Sequence, residues 1–133
     1  MGWLPFTTLF HFGALAFPHH CMYTVLDPYP SVVLLATFMS FLWHLTEEGV
    51  PLLTVLDTTF ACLWATLDVI YAYVFHDFEV IVQVVYLNMV IATIHRLHES
   101  IRTDRESYIY HHSLWHLLSA TKCVAVALLL RCQ

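Results

Sequence analysis

Charge is the scarcest property of this sequence. Of 133 residues, five are Lys or Arg and ten are Asp or Glu, 11% in all, where a soluble domain carries about 25%. A domain of this size has far more surface than core, and so few charges cannot cover it. A soluble enzyme and a disordered chain are thereby excluded. Basic runs are also missing and the formal charge is −5, so nucleic acid is excluded as a partner. Cysteine occurs four times, at Cys21, Cys62, Cys123 and Cys132, and never as CxxC. Cys62 and Cys123 sit within apolar runs and read as small buried hydrophobes. The apolar N-terminal stretch has no positive n-region, so no removed signal peptide is expected. Internal repeats and low-complexity tracts are absent.

What the chain has in abundance is apolar surface and histidine. Hydrophobic residues make up 59% of it, and the ten histidines are twice the Lys and Arg together. The expected class is all-α: a polytopic transmembrane helical bundle, one domain over residues 1–133.

Proline and charge divide the apolar sequence into five segments. The first runs from about Trp3 to Phe17 and stops at Pro18. A linker, HHCMYTVLDPYP, covers 19–30. The second segment runs from Ser31 to about Thr46 and meets Glu47, Glu48 and Gly49. Pro51 opens the third, at a favoured first-turn position, and it continues to Phe75. His76-Asp77 breaks it, and the fourth runs from Phe78 to His98. The polar stretch ESIRTDRE precedes the fifth, from Ser107 to Leu130. The last three are long enough to cross a hydrocarbon core of about 30 Å; the first two are short.

If all five cross, the N-terminus, the Glu47/Glu48 turn and residues 96–106 share one side. That side carries Arg96, Arg102 and Arg105, and the positive-inside rule assigns it to the cytosol or, in a mitochondrion, the matrix. The mitochondrial inner membrane, an endomembrane and the plasma membrane all remain open. Lys122, in the last helix, is expected to snorkel toward the opposite side.

An ionisable group inside a membrane helix is costly and usually faces the bundle interior or water. Ser40 and His44 are spaced i,i+4 and share a face near the end of the second helix. Asp57 lies about two turns into the third helix, which starts on that side. His112 and His116, also i,i+4, occupy the first turns of the fifth helix, again on that side. Topology alone thus places Ser40, His44, Asp57, His112 and His116 in one leaflet. Three imidazoles and an open position suit zinc, which makes hydroxide available near neutral pH. Asp57 is positioned to accept the water's proton or orient it, and Ser40 to hydrogen-bond the ligands or a substrate oxyanion. The bland alternative is a set of interfacial groups reaching for headgroups.

The same residues resemble the CREST superfamily, which groups alkaline ceramidases, the progestin and adipoQ receptors, and the branch with the post-GPI-attachment phospholipase and myomaker. Its pattern is Ser-x3-His on an early helix, Asp on the next and His-x3-His on the last. Here these read SFLWH (Ser40 to His44), Asp57 in VLDTTF, and HSLWH (His112 to His116). YIYHHSLWHLLSA looks most like the phospholipase and myomaker branch. The resemblance implies zinc held by His44, His112 and His116, Asp57 and Ser40 as catalytic residues, and hydrolysis of a lipid amide or ester. Family members have about seven helices. Only five are found here, so two walls of the lipid cavity are expected to be missing, with a partner needed to close it.

Other residues have a bland and a sharp reading. Asp68 is either a proton relay or a packing acid bound to a neighbouring helix. His95 and His98 read as interfacial, although a second metal pair is the alternative. Glu47 and Glu48 read as exposed turn acids. His111 points about 100° away from His112. His11, His19, His20 and His76 have no matched partner. Trp3, Tyr108, Tyr110 and Trp115 suit an interfacial aromatic belt. Two functions compete with a zinc-dependent lipid hydrolase: a non-catalytic accessory subunit of a large membrane complex, mitochondrial in one version, with a structural or vestigial zinc, and a haem protein with two axial histidines. The expected partners are membrane lipids and either other membrane subunits or further copies of the chain.

Overall fold

The computed structural model describes residues 4–16, 28–46, 48–99 and 104–131. Expectations for Trp3, His19, His20, Cys21, Glu47, Arg102 and Cys132 lie outside the described residues. The chain is all-α, as the apolar segments require. Helix α1 (Leu4–Thr7) tightens into a 3₁₀ helix (Thr8–Ala16), followed by α2 (Pro28–Leu45), α3 (Pro51–Phe75), α4 (Phe78–Glu99) and α5 (Arg105–Leu129). Helices α2 to α5 are each long and apolar enough to cross a membrane, which makes this a multi-pass membrane protein.

Helix starts follow from residue chemistry. Pro51 opens α3 at a position where its missing N–H costs nothing. Pro28 does the same for α2, which therefore begins three residues before the expected Ser31 and absorbs the end of the expected linker. Asp77 accepts from the Val80 N–H at 3.1 Å at the start of α4. Asp104 caps α5, accepting from the Glu106 N–H at 3.2 Å, and so moves its start from Ser107 to Arg105. In the N-terminal segment Thr7 and Thr8 donate to carbonyls three residues back, both at 2.7 Å. Nine residues of 3₁₀ helix rise about 18 Å, so this short segment reaches further than an α-helix of equal length.

Several hydroxyls within the apolar helices are satisfied locally. Thr66, Thr93 and Thr121 each donate to the carbonyl four residues back, at 2.8, 2.9 and 2.8 Å. This lets exposed threonines sit on a face with no water to bond them.

The helices close a ring. The 3₁₀ segment packs on α2, α2 on α3, α3 on α4, α4 on α5, and α5 back on the 3₁₀ segment. The ring thus closes on itself through these five elements. One apolar cluster joins Ala14, Tyr29, Val33, Ala36, Trp64 and Cys123. A second, at the far end, joins Ala72, Val84, Val126 and Leu130. Burial is uneven around the ring: half of the most apolar window of α5 is buried against 6% of that in α4. Large side chains such as Phe78, Tyr73 and Tyr86 point outward, as a lipid-facing wall requires.

Candidate metal centre

Three of the histidines expected to converge do so. His44 near the end of α2 and His112 and His116 on α5 are exposed by 5%, 1% and 1%. Among the described residues they form a set whose ligand atoms all lie within 4.8 Å of one another. The i,i+4 spacing on α5 stacks His112 and His116 on one face, and their ring centroids are each 4.9 Å from that of His44. The Nε2 atoms of His44 and His116 approach to 2.9 Å. Imidazole nitrogens sharing a tetrahedral ion at 2.0–2.1 Å are about 3.3–3.4 Å apart, so the set brackets the required spacing.

Three of the ring nitrogens also lack other employment. Both ring nitrogens of His112 and the Nδ1 of His116 are buried without a hydrogen-bond partner among the described residues. An orphaned buried polar atom costs about 1–3 kcal/mol. A cation taking one lone pair from each ring removes part of that cost. The donor set is all nitrogen and convergent, and it could hold one metal ion.

The turn after α2 supplies a residue that the exposed-acid reading missed. The Glu48 side chain is only 3% exposed. Its Oε1 accepts from Nδ1 of His44 at 3.1 Å and from the Tyr108 hydroxyl at 3.0 Å. Arg105 lies 3.7 Å from Oε2. The signal was present in the spacing, since His44 and Glu48 are i,i+4 like the other pairs. Tyr108 is fully buried, so it is not part of an interfacial belt. Trp115 leaves the belt too: its indole N–H donates to the Ile91 carbonyl at 3.3 Å. Tyr110 remains exposed.

A cavity of about 250 Å³ adjoins the histidines, with His116, Ser40 and Asp57 in its wall. The Ser40 hydroxyl hydrogen-bonds the Asp57 carboxyl, and His44 and Glu48 are close enough to Asp57 to act on its charge. All five expected site residues thus gather at one end of the ring. Alanines 36, 61, 65 and 92 and Ile91 make much of the remaining wall.

Two further histidines reach this cavity. His11 donates from Nδ1 to the Thr8 carbonyl at 2.8 Å and sets its ring edge-on to His116 at 5.8 Å. His95 lies 6.2 Å from His112 between ring centroids and also lines the cavity, so it faces inward rather than to the interface. Neither belongs to the three-nitrogen set. His98 sets its ring at a tilt to that of exposed His111, 5.9 Å between centroids.

Deeper in the ring, Asp68 and Lys122 pair at 3.2 Å, with side chains 0% and 8% exposed. Lys122 therefore does not snorkel. Its ammonium also donates to Asn88 at 3.0 Å. Asp68 accepts from the Tyr29 hydroxyl at 2.6 Å, which accepts from the Trp64 indole at 2.9 Å. Asp68 is the packing acid of the two readings, and Tyr29 belongs to the core rather than to a linker. Cys123 is buried as expected, but Cys62 is exposed.

Comparison with family models, with characterised proteins and with solved structures returns no match. The class is therefore defined by fold and site alone: a membrane-spanning helical bundle with a buried three-histidine centre that could hold a metal.

Proposed function

We propose that the chain is a zinc-dependent membrane hydrolase acting on an amide or ester bond of a lipid. The observation that carries this reading is the shared wall: His116, Asp57 and Ser40 border one cavity inside the ring. The pattern of Ser40, His44, Asp57, His112 and His116, which resembles the CREST superfamily, supports it. His44, His112 and His116 would hold the zinc. When bound, the ion supplies Lewis acidity and makes a hydrolytic water acidic near neutral pH.

Asp57 is the proton carrier. Its carboxylate takes a proton from the attacking water and returns it to the departing amine or alcohol as the C–N or C–O bond breaks. The products are a carboxylic acid and the amine or alcohol, so one water is consumed. Ser40 holds the carboxyl through its hydroxyl. The alanines and Ile91 of the wall leave apolar room for an acyl chain.

The test uses the purified protein in lipid nanodiscs with zinc, incubated with ceramide and with phospholipid, reading free fatty acid by mass spectrometry. Acid release is expected from one class. Asp57→Asn is expected to lower the rate about 10²–10⁴-fold while keeping its zinc. A zinc-loaded protein that releases no more acid than a His112→Ala blank would sink the enzymatic reading. The ion would then be a structural tie, as in an accessory subunit.

A further inference from the structure

Glu48 occupies a backbone position that a glutamate has no local reason to fill. Its φ is 61°, in the left-handed region, where a Cβ is unfavourable and glycine is the usual choice. The chain does hold a glycine here, but one residue further on, at Gly49. The Glu48 N–H reaches the Trp43 carbonyl at 3.0 Å and so closes the end of α2, which needs no side chain. The glutamate carboxylate is nevertheless carried inward, to 3% exposure. There it takes the His44 Nδ1 and the Tyr108 hydroxyl on one oxygen, with Arg105 near the other. Strained backbone that persists beside a cluster of polar groups points to the side chain as its reason.

We infer that Glu48 is a positioning residue for the metal centre, fixing the orientation and tautomer of His44 from behind. A carboxylate on Nδ1 requires the proton there and leaves the lone pair on Nε2. That is the atom His44 turns toward His116, 2.9 Å away. Metal-bound histidines generally hold such a partner on the second nitrogen, and it raises the basicity of the ligand. Tyr108 and Arg105 then have a defined role, which is to hold the carboxylate. Tyr108 stands one turn before His112 on α5, so Glu48 links the ligand of α2 to the helix that carries the other two. This role rests on the metal reading but not on hydrolysis.

Zinc affinity is the readout, measured in detergent by competition with a chromogenic chelator, with thermal unfolding of the metal-free protein as a control. Glu48→Gln keeps the backbone, the size and an acceptor oxygen, but removes the charge. It is expected to bind zinc about 10-fold or more weakly while its metal-free melting temperature stays at the wild-type value. Glu48→Gln binding as tightly as wild type would overturn the inference and leave the metal centre standing. Wild-type protein that is folded but binds no zinc would overturn both. If Glu48→Gln does not fold, Tyr108→Phe decides. It leaves the carboxylate but loosens it, so a several-fold loss of affinity is expected, and unchanged affinity would overturn the assignment.

Discussion

Two buried polar clusters hang on α5, six residues and so about 9 Å apart, and they are opposites. Around Lys122 donors and acceptors are matched: Asp68, Asn88, Tyr29 and Trp64 form a chain of contacts between 2.6 and 3.2 Å. Around His112 and His116 there is a surplus of nitrogen with no acceptor or donor to meet it among the described residues. Both kinds of site are costly inside a membrane. The matched one explains itself as an internal tie across four helices. The unmatched one calls for something from outside the chain, and a cation would take one nitrogen from each of the three rings. Completeness of hydrogen bonding, more than burial or charge, thus separates the scaffold from the candidate site.

The matched cluster has most to lose at Asp68. Asp68→Ala leaves the Lys122 ammonium buried without its counter-charge, and is expected to cost about 3–5 kcal/mol of stability, read by unfolding in detergent. Asp68→Leu with Lys122→Met should recover most of that loss, because the pair is removed whole. A single-mutant cost under about 1 kcal/mol would mean that Lys122 escapes to the interface.

At the other cluster the sign differs. In metal-free protein, His112→Leu removes two orphaned nitrogens, so stability should hold or rise slightly. With zinc at about 100 times its dissociation constant, wild type should gain about 2.7 kcal/mol and His112→Leu nothing. Thermal melts with and without zinc read both. A large metal-free loss would instead make His112 a packing residue like Asp68.

The weakest lever acts on the shared helix. Asp104 caps α5 from a fully exposed position, and hydrogen bonds from Ser107 hold its carboxyl below the usual carboxylate range. A depressed folded pKa means the stabilisation is present above the unfolded value of about 3.9 and is lost as pH falls through the lower folded one. Asp104→Ala should lower the melting temperature slightly at about pH 7 and not at all near pH 2. An equal effect at both pH values would remove charge from the explanation.

Local pattern was readable in the sequence and partnership was not. Apolar runs marked α2 to α5, and i,i+4 spacing with helix parity brought His44, His112 and His116 to one end. Those inferences need only the helical repeat and the reversal of direction at each turn. Lys122 and Asp68 lie on different helices, 54 positions apart, and nothing local announces that α3 and α5 face one another there. Tyr29 sits beside two prolines that looked like linker, yet its hydroxyl reaches Asp68. His11 became part of the cavity wall only because a 3₁₀ segment closes the ring. Glu48 was hidden differently: acids in turns are normally solvated, and only a left-handed backbone turned this one inward.

The distance along the chain between ligands has a temporal meaning. His44 and His116 are 72 positions apart, with two whole membrane passes between them. At about 5–20 residues per second, synthesis takes several seconds to bring the second imidazole after the first. Throughout that interval a nascent chain offers only one of the three imidazoles of the set. The three-histidine set therefore comes together last, when α5 docks, and a metal held there would record that α2 and α5 have met.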